Sequence, residues 1–303
     1  MNVAAAAKAQ SAPLAWLLLA ITSLFWSANT IFALVAVGQV SPLLLVMLRW
    51  SLVVLVLAVV ARRAFMRDWP LLRAQLGRIA ALGALGYTAF NAMFYVAAHY
   101  TTALNLGFTQ AVMPIFILLI SFVRFRTSVT ALQGVGVVAA VVGVILVAAQ
   151  GDWHRLLAMQ FNVGDLIALT ATLLYAVYTV ALRSRPAVSA LSFFAVLAGA
   201  AFITSIPLAA YEWFSGALIW PSRTGWALIV SIALFPSLLG QVLFIRGVEI
   251  IGPGRAGLFV NLTPILAAVM AVVLLGEQFH WFHGAAFALV FVGIWASERG
   301  SRG

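Results

Sequence analysis

Tyr87, Asn91 and Tyr95 recur every four residues inside an otherwise apolar stretch, a spacing that stacks all three on one face of a helix. Two further pairs stand three residues apart, Trp26 with Asn29 and Tyr175 with Tyr178, and each pair is adjacent on its helix surface. Gln241 stands alone in a later apolar run, four residues after Ser237. Ring faces, phenols and amides stack and hydrogen-bond; bond-making chemistry needs a nucleophile beside a base, paired acids or a metal cluster. The chain has no cysteine, and His99, His154, His280 and His283 lie at helix ends or in loops. No GxSxG or HExxH motif occurs. The chemistry on offer is non-covalent recognition of a small molecule, with no enzyme activity, cofactor or metal expected.

Those side chains need elements to hold them, and composition says which. With 65% hydrophobic residues, 8% charged residues and a mean hydropathy of +1.12, the 303-residue chain has no wetted surface of the ordinary kind and reads as a polytopic membrane protein. A spanning helix takes about 20 residues. Apolar runs fall at about 14–36, 42–60, 79–98, 103–123, 130–149, 164–182, 189–210, 225–245, 255–275 and 281–297. They are too long and too uniformly apolar for barrel strands, so the expected fold is all-α, with ten transmembrane helices in contact with lipid. The first run is read as a span rather than a cleaved leader, because only Lys8 precedes it and it belongs to a repeat.

Charge orients these helices. Fourteen of the seventeen basic residues fall on one side: Lys8, five arginines between 62 and 78, and pairs at 124/126, 183/185, 246/255 and 299/302. Arg155 and Arg223 fall on the other. The positive-inside rule then places both termini in the cytoplasm. The net charge of +10 belongs to this membrane face, and no basic, aromatic-interleaved module points to nucleic acid.

Shifted against itself by 150 residues, the sequence brings Phe94 onto Phe244, Gly107 onto Gly257, Pro114 onto Pro264, Ile115 onto Ile265, Gly134 onto Gly284 and Gly143 onto Gly293. A shift of 149 lays Trp26 and Asn29 on Tyr175 and Tyr178. Helices 1–5 in residues 1–150 thus match helices 6–10 in residues 151–303. Five is odd, so the second copy enters the membrane inverted. Inverted repeats give a fold two related conformations, one open to each side, around a site near the midplane. Tyr87, Asn91 and Tyr95 correspond to Ser237, Gln241 and Ile245, so helices 1, 3, 6 and 8 all carry aromatic or amide faces. Polar residues in spans usually face the bundle interior or a cavity. Asn91 and Gln241 either line such a cavity or join helices by hydrogen bonds, and Tyr87 and Tyr95 either line it or sit at the membrane interface. Asn105 and Thr109 share a face with cavity and packing equally open.

"GLFVNLTPILAAVMAVVLLGEQFHWFHG" puts Asn261, Thr263 and Pro264 inside an apolar run. Pro264 cannot donate to the carbonyl of Val260, so the helix should loosen there, with Asn261 and Thr263 satisfying the freed groups. Pro114 should do the same in the twin helix at Gln110. Paired bends suit a pair of gates. Arg49 is the one basic residue well inside a span; it snorkels, pairs, or meets a substrate anion. The seven acidic residues all lie at helix ends, in loops or in the tail, so no buried proton relay is expected and transport down the substrate's own gradient is favoured.

"FWSANTIF", "SPLLLVMLRW", and a Pro-centred helix followed by "LLGE" and a Gly-x8-Gly helix, in this order and partly duplicated, resemble the EamA-type drug/metabolite transporter superfamily over essentially the whole chain. The resemblance implies a ten-helix exporter of small metabolites in the bacterial inner (plasma) membrane, with YddG-type amino-acid exporters, and hence aromatic or neutral amino acids, as the nearest suggestion. One departure stands out: the acid of "LLGE" is Glu277 in the second half and Thr127 in the first.

Overall fold

Backbone polar groups facing lipid have no water to bond, so each apolar run must close its hydrogen bonds internally. All regular elements among the described residues are helical, with no strand. The computed structural model describes residues 12–125, 130–148, 151–152, 154, 162–182, 185–251, 259 and 262–300. The first half contains α1 (Ala12–Val35), α2 (Pro42–Val60), α3 (Arg62–Arg73), α4 (Leu76–Gly83), α5 (Phe90–Ala97), α6 (Ala103–Ala111), α7 (Met113–Phe125) and α8 (Ala131–Ala148). The second contains α9 (Val163–Ala181), α10 (Ala190–Phe214), α11 (Arg223–Ile232), α12 (Gly240–Ile251), α13 (Leu262–Leu275) and α14 (Trp281–Gly300). Among the described residues, seven helical rods are long and apolar enough to cross a membrane, and Leu262–Leu275 and Trp281–Gly293 are shorter apolar helices.

Two rods contain a feature the sequence reading lacks. Between α4 and α5 the backbone widens to a π-helical segment, Ala84–Ala89, and between α11 and α12 to another, Ala233–Leu239. Their starts are offset by 149 residues and their ends by 150, so they occupy matching places in the two halves. Pro236 lies inside the second and cannot donate to the carbonyl of Ile232, so the wider turn hands that carbonyl to the next residue, Ser237. The Ser237 hydroxyl also donates to it, at 2.6 Å. In the first, Gly86 stands where Pro236 stands in the second, and the Tyr178 ring packs directly onto its bare backbone.

The two halves interlock. α2 packs along α10, α1 along α12 and α13, α9 along α5, α6 along α13, and α8 along α14. Helix association in lipid relies on close packing, small residues and hydrogen bonds of about 0.6–2 kcal/mol each. At the α4–α10 contact a Cβ on Gly83 would lie 2.6 Å from the carbonyl oxygen of Leu197. One turn on, the Thr88 hydroxyl donates to the carbonyl of Ala201 at 3.1 Å.

Buried carboxylates tie helix ends. Glu212, near the end of α10, accepts the N–H groups of Leu43 and Leu44 at 2.9 and 2.8 Å, where α2 begins. At the opposite, arginine-rich end, Asp68 of α3 accepts the Ser189 N–H at 2.9 Å, where α10 begins. The carboxylates thus meet the unpaired amides and positive dipole end of each helix. Arg67 above all, then the Ser189 N–H, holds the Asp68 carboxyl well below the ordinary carboxylate range. Because its folded value is lowered, this cap's contribution is complete above the ordinary pKa of 3.8 and is lost only as pH falls through the lowered value. Glu277, beyond α13, likewise accepts the Ala103 and Leu104 N–H groups at 2.8 and 2.9 Å at the start of α6.

Candidate functional site: a central cavity

A cavity of about 100 Å³ opens where α1, α2, the α4–α5 rod, the α6–α7 rod, α9, the α11–α12 rod and α13 converge. Its wall includes Trp26, Asn29, Tyr87, Asn91, Tyr175 and Gln241, six of the eight residues the sequence assigns to substrate. Thr263 and Pro264 also line it.

Arg49, mid-way along α2, organises one side. It is only 4% exposed. Its Nε and Nη2 donate to Ser237 Oγ at 3.1 and 2.6 Å, and its Nη1 donates to Asn91 Oδ1 at 2.6 Å and to the Tyr95 hydroxyl. Ser237 is two-faced: its hydroxyl donates to the Ile232 carbonyl and accepts from the guanidinium. Tyr95 in turn donates to Asn29 Oδ1 at 2.7 Å. The guanidinium carbon lies 5.1 Å from the Trp50 ring centre and 5.6 Å from that of Tyr95, within cation–π range.

Aromatic rings form the rest. Trp50 stacks on Tyr87 at 4.8 Å with an interplanar angle of 3°. Tyr87 touches Tyr178, whose hydroxyl donates to it at 3.3 Å. Phe90 and Tyr175 approach to 4.8 Å. Trp26 donates from Nε1 to the carbonyl of Pro236 at 3.1 Å, spending its polar edge on the π-helical segment.

The structure departs from the sequence reading in several places. Tyr95 and Tyr178 are buried behind the wall rather than in it, because each is consumed by a partner: Tyr95 by Arg49 and Asn29, Tyr178 by Tyr87. Thr263 does not satisfy groups freed by Pro264, since its Oγ1 is buried with no partner. Serines of α1 take carbonyls there instead, Ser23 that of Phe259 at 2.6 Å and Ser27 that of Thr263 at 2.9 Å. Asn261 and Val260 lie outside the described residues. The twin helix is interrupted at Val112, between α6 and α7, two residues before Pro114. Asn105 does not line the central cavity: its Nδ2 donates to both Asp165 oxygens at 3.1 Å, and it borders a separate pocket with Glu277 and His283.

Trp50, Phe90, Gln110, Met113 and Pro236 line the cavity without having been singled out, and Ser237 was known only as the repeat partner of Tyr87. Pro236 and Gln110 had signals, a helix breaker and an amide inside apolar runs. Trp50, Phe90 and Met113 are indistinguishable in sequence from packing residues.

Comparison with known proteins places this geometry. Residues 13–149 and 162–297 each match the EamA-like transporter family. An uncharacterized transporter of Bacillus subtilis (strain 168), YyaM, is 26% identical over 222 residues, covering 70% of each chain. An uncharacterized transporter of Archaeoglobus fulgidus is 22% identical over 287 residues, covering 94% of this chain and 98% of its own. A solved structure described only as a crystal structure of protein superposes with a TM-score of 0.64 at 20% identity, covering 95% of this chain and 99% of the other, a likeness of fold alone.

Proposed function

Since this chain belongs to the EamA-like transporter family and is a multi-pass membrane transporter, we propose that it exports small metabolites, amino acids foremost, by alternating access through the central cavity. Ten crossings arranged as inverted halves, 1–150 and 151–303, and cytoplasmic termini in a bacterial plasma membrane complete the reading. The observation that carries it is the convergence of matched elements from both halves, including both π-helical segments, on one cavity. Aromatic walls with amide edges suit a molecule with an apolar side and a polar head. At about 100 Å³ the cavity is smaller than the roughly 300–1,000 Å³ of drug-sized sites, so a metabolite enters when the helices part. A carrier for cationic drugs is the competing class, and Arg49 in the wall opposes it.

Purified protein in sealed proteoliposomes should take up labelled neutral amino acids saturably, with acceleration by unlabelled substrate on the opposite side. Trp26→Ala should lower that flux about tenfold or more while insertion and yield stay near normal. Flux without saturation or acceleration would identify a channel, and an inert amino-acid panel would remove the substrate assignment.

A further inference from the structure

We propose that the cavity is a carboxylate site, with Arg49 as a counter-ion that lacks its anion, and that the exported molecule carries one carboxylate; the export reading above is its premise. Every partner of the guanidinium is neutral: Ser237, Asn91 and Tyr95. The Arg67–Asp68 ion pair lies far out on α3, away from Arg49. The described carboxylates are engaged elsewhere: Glu212 and Glu277 by helix N-termini, Asp165 by Thr101 and Asn105, and Asp152 by the His154 N–H in an exposed turn. A guanidinium has five N–H donors and stays protonated. Four bonds are made, which leaves one N–H on Nη2 without an acceptor among the described residues.

A second observation points the same way. Two buried side-chain polar atoms among the described residues have no partner, Trp50 Nε1 and Thr263 Oγ1, and both residues line this cavity. Trp50 and Thr263 are 2% and 3% exposed. Indole N–H is a donor only and the threonine hydroxyl can donate, so two residues of the wall that holds Arg49 carry spare donors, buried in this closed form. Buried polar groups of this kind are ordinarily satisfied. A carboxylate has two oxygens and about four acceptor positions, enough for the guanidinium, the indole and the hydroxyl together. Arg49 has no repeat counterpart, since positions 198 and 199 are Ala198 and Gly199, so one charge and not two marks the site.

Thermal unfolding of the full-length protein in detergent tests this with small probes: acetate, 4-methylpentanoate, phenylacetate and leucine against their amides, with inorganic phosphate as a further arm. The carboxylates should raise the unfolding midpoint, with apparent affinities at least about tenfold above the matching amides. Arg49→Gln should abolish that preference and Arg49→Lys should retain part of it. The comparison of acids with amides uses the unaltered chain, so it decides even where Arg49→Gln fails to fold. Equal response to acids and amides, no response to any carboxylate, phosphate matching the carboxylates, or a preference surviving in Arg49→Gln each overturns the proposal. Carboxylate binding without amino-acid flux would sink the export reading alone; amino-acid flux with amides competing as well as acids would sink only the carboxylate site.

Discussion

Tyr178 influences the cavity from one layer behind it. Its ring lies 5.4 Å from Tyr87, which stacks on Trp50, the neighbour of Arg49. The Tyr178 ring is also seated on Gly86, where an added Cβ would collide with Cγ. That atom is the root of the ring and cannot swing aside as a flexible tip would. Gly86→Ala should therefore displace Tyr178 from its place against Tyr87 and lower transport about tenfold while leaving insertion intact. Gly86→Ala with Tyr178→Ala should transport better than Gly86→Ala alone, because the obstacle has been removed. A double variant no better than the single would show that the contact is not the reason. Spacing alone pointed to Tyr87, Asn91, Tyr175 and Tyr178, since helical periodicity reports a shared face. It did not report depth: whether a phenol reaches the cavity or is captured first depends on partners such as Asn29 and Arg49 from other helices. Trp50 escaped notice because an indole in an apolar run reads as packing until its N–H is seen to have no acceptor.

Between residue and bundle stand the two π-helical segments, which widen their rods where these pass the cavity. In the second, Pro236 has no N–H for the Ile232 carbonyl, the wider turn brings Ser237 opposite that carbonyl, and the Ser237 hydroxyl, bonded to it, is turned to accept from Arg49. Ser237→Ala should leave two guanidinium N–H groups without their acceptor and cost about 1–3 kcal/mol, read as a lower unfolding midpoint. An unchanged midpoint would show that Arg49 does not depend on this hydroxyl. A proline break was legible in sequence near Pro114 because the missing N–H is a property of the residue, whereas Val260 and Asn261, before Pro264, lie outside the described residues. The π segment at Ala84–Ala89 contains no proline, so no residue type announced it. The carboxylate caps were equally hidden, since Glu212 meets backbone amides whose position in space no local pattern reveals.

At the scale of the whole molecule the two copies and their opposed arginine content were legible, and they set the orientation to be tested. The chain is free of cysteine, so a single one placed in α3 at Leu71 should react with an impermeant thiol reagent only from inside, and one at Ala217 only from outside. The reverse pattern would overturn the inverted arrangement. A finer asymmetry follows from the helix ties. Glu212 ties the end of α10 to the start of α2, and Asp68 on α3 ties the helix that follows α2 to the start of α10. Glu277 ties the α13 end to the start of α6 at the end opposite the arginines, and at the matching place in the first half the residue is Thr127, which has no carboxylate. The rods carrying Gln110, Met113, Thr263 and Pro264 into the cavity are thus fastened at the end opposite the arginines, which the proposed orientation makes external, by a carboxylate that the sequence lacks at position 127. Glu277→Gln removes the charge and one of two acceptor oxygens, a loss of about 1–2 kcal/mol, or roughly 5- to 30-fold in the population open to the outside. Met113→Cys, whose thiol would stand in the cavity wall, should then react faster with an external impermeant reagent by about that factor when Glu277→Gln is added. An unchanged external rate would show that Glu277 only shapes the helix end, and acceleration from the cytoplasmic side instead would place the gate at the wrong end of the bundle.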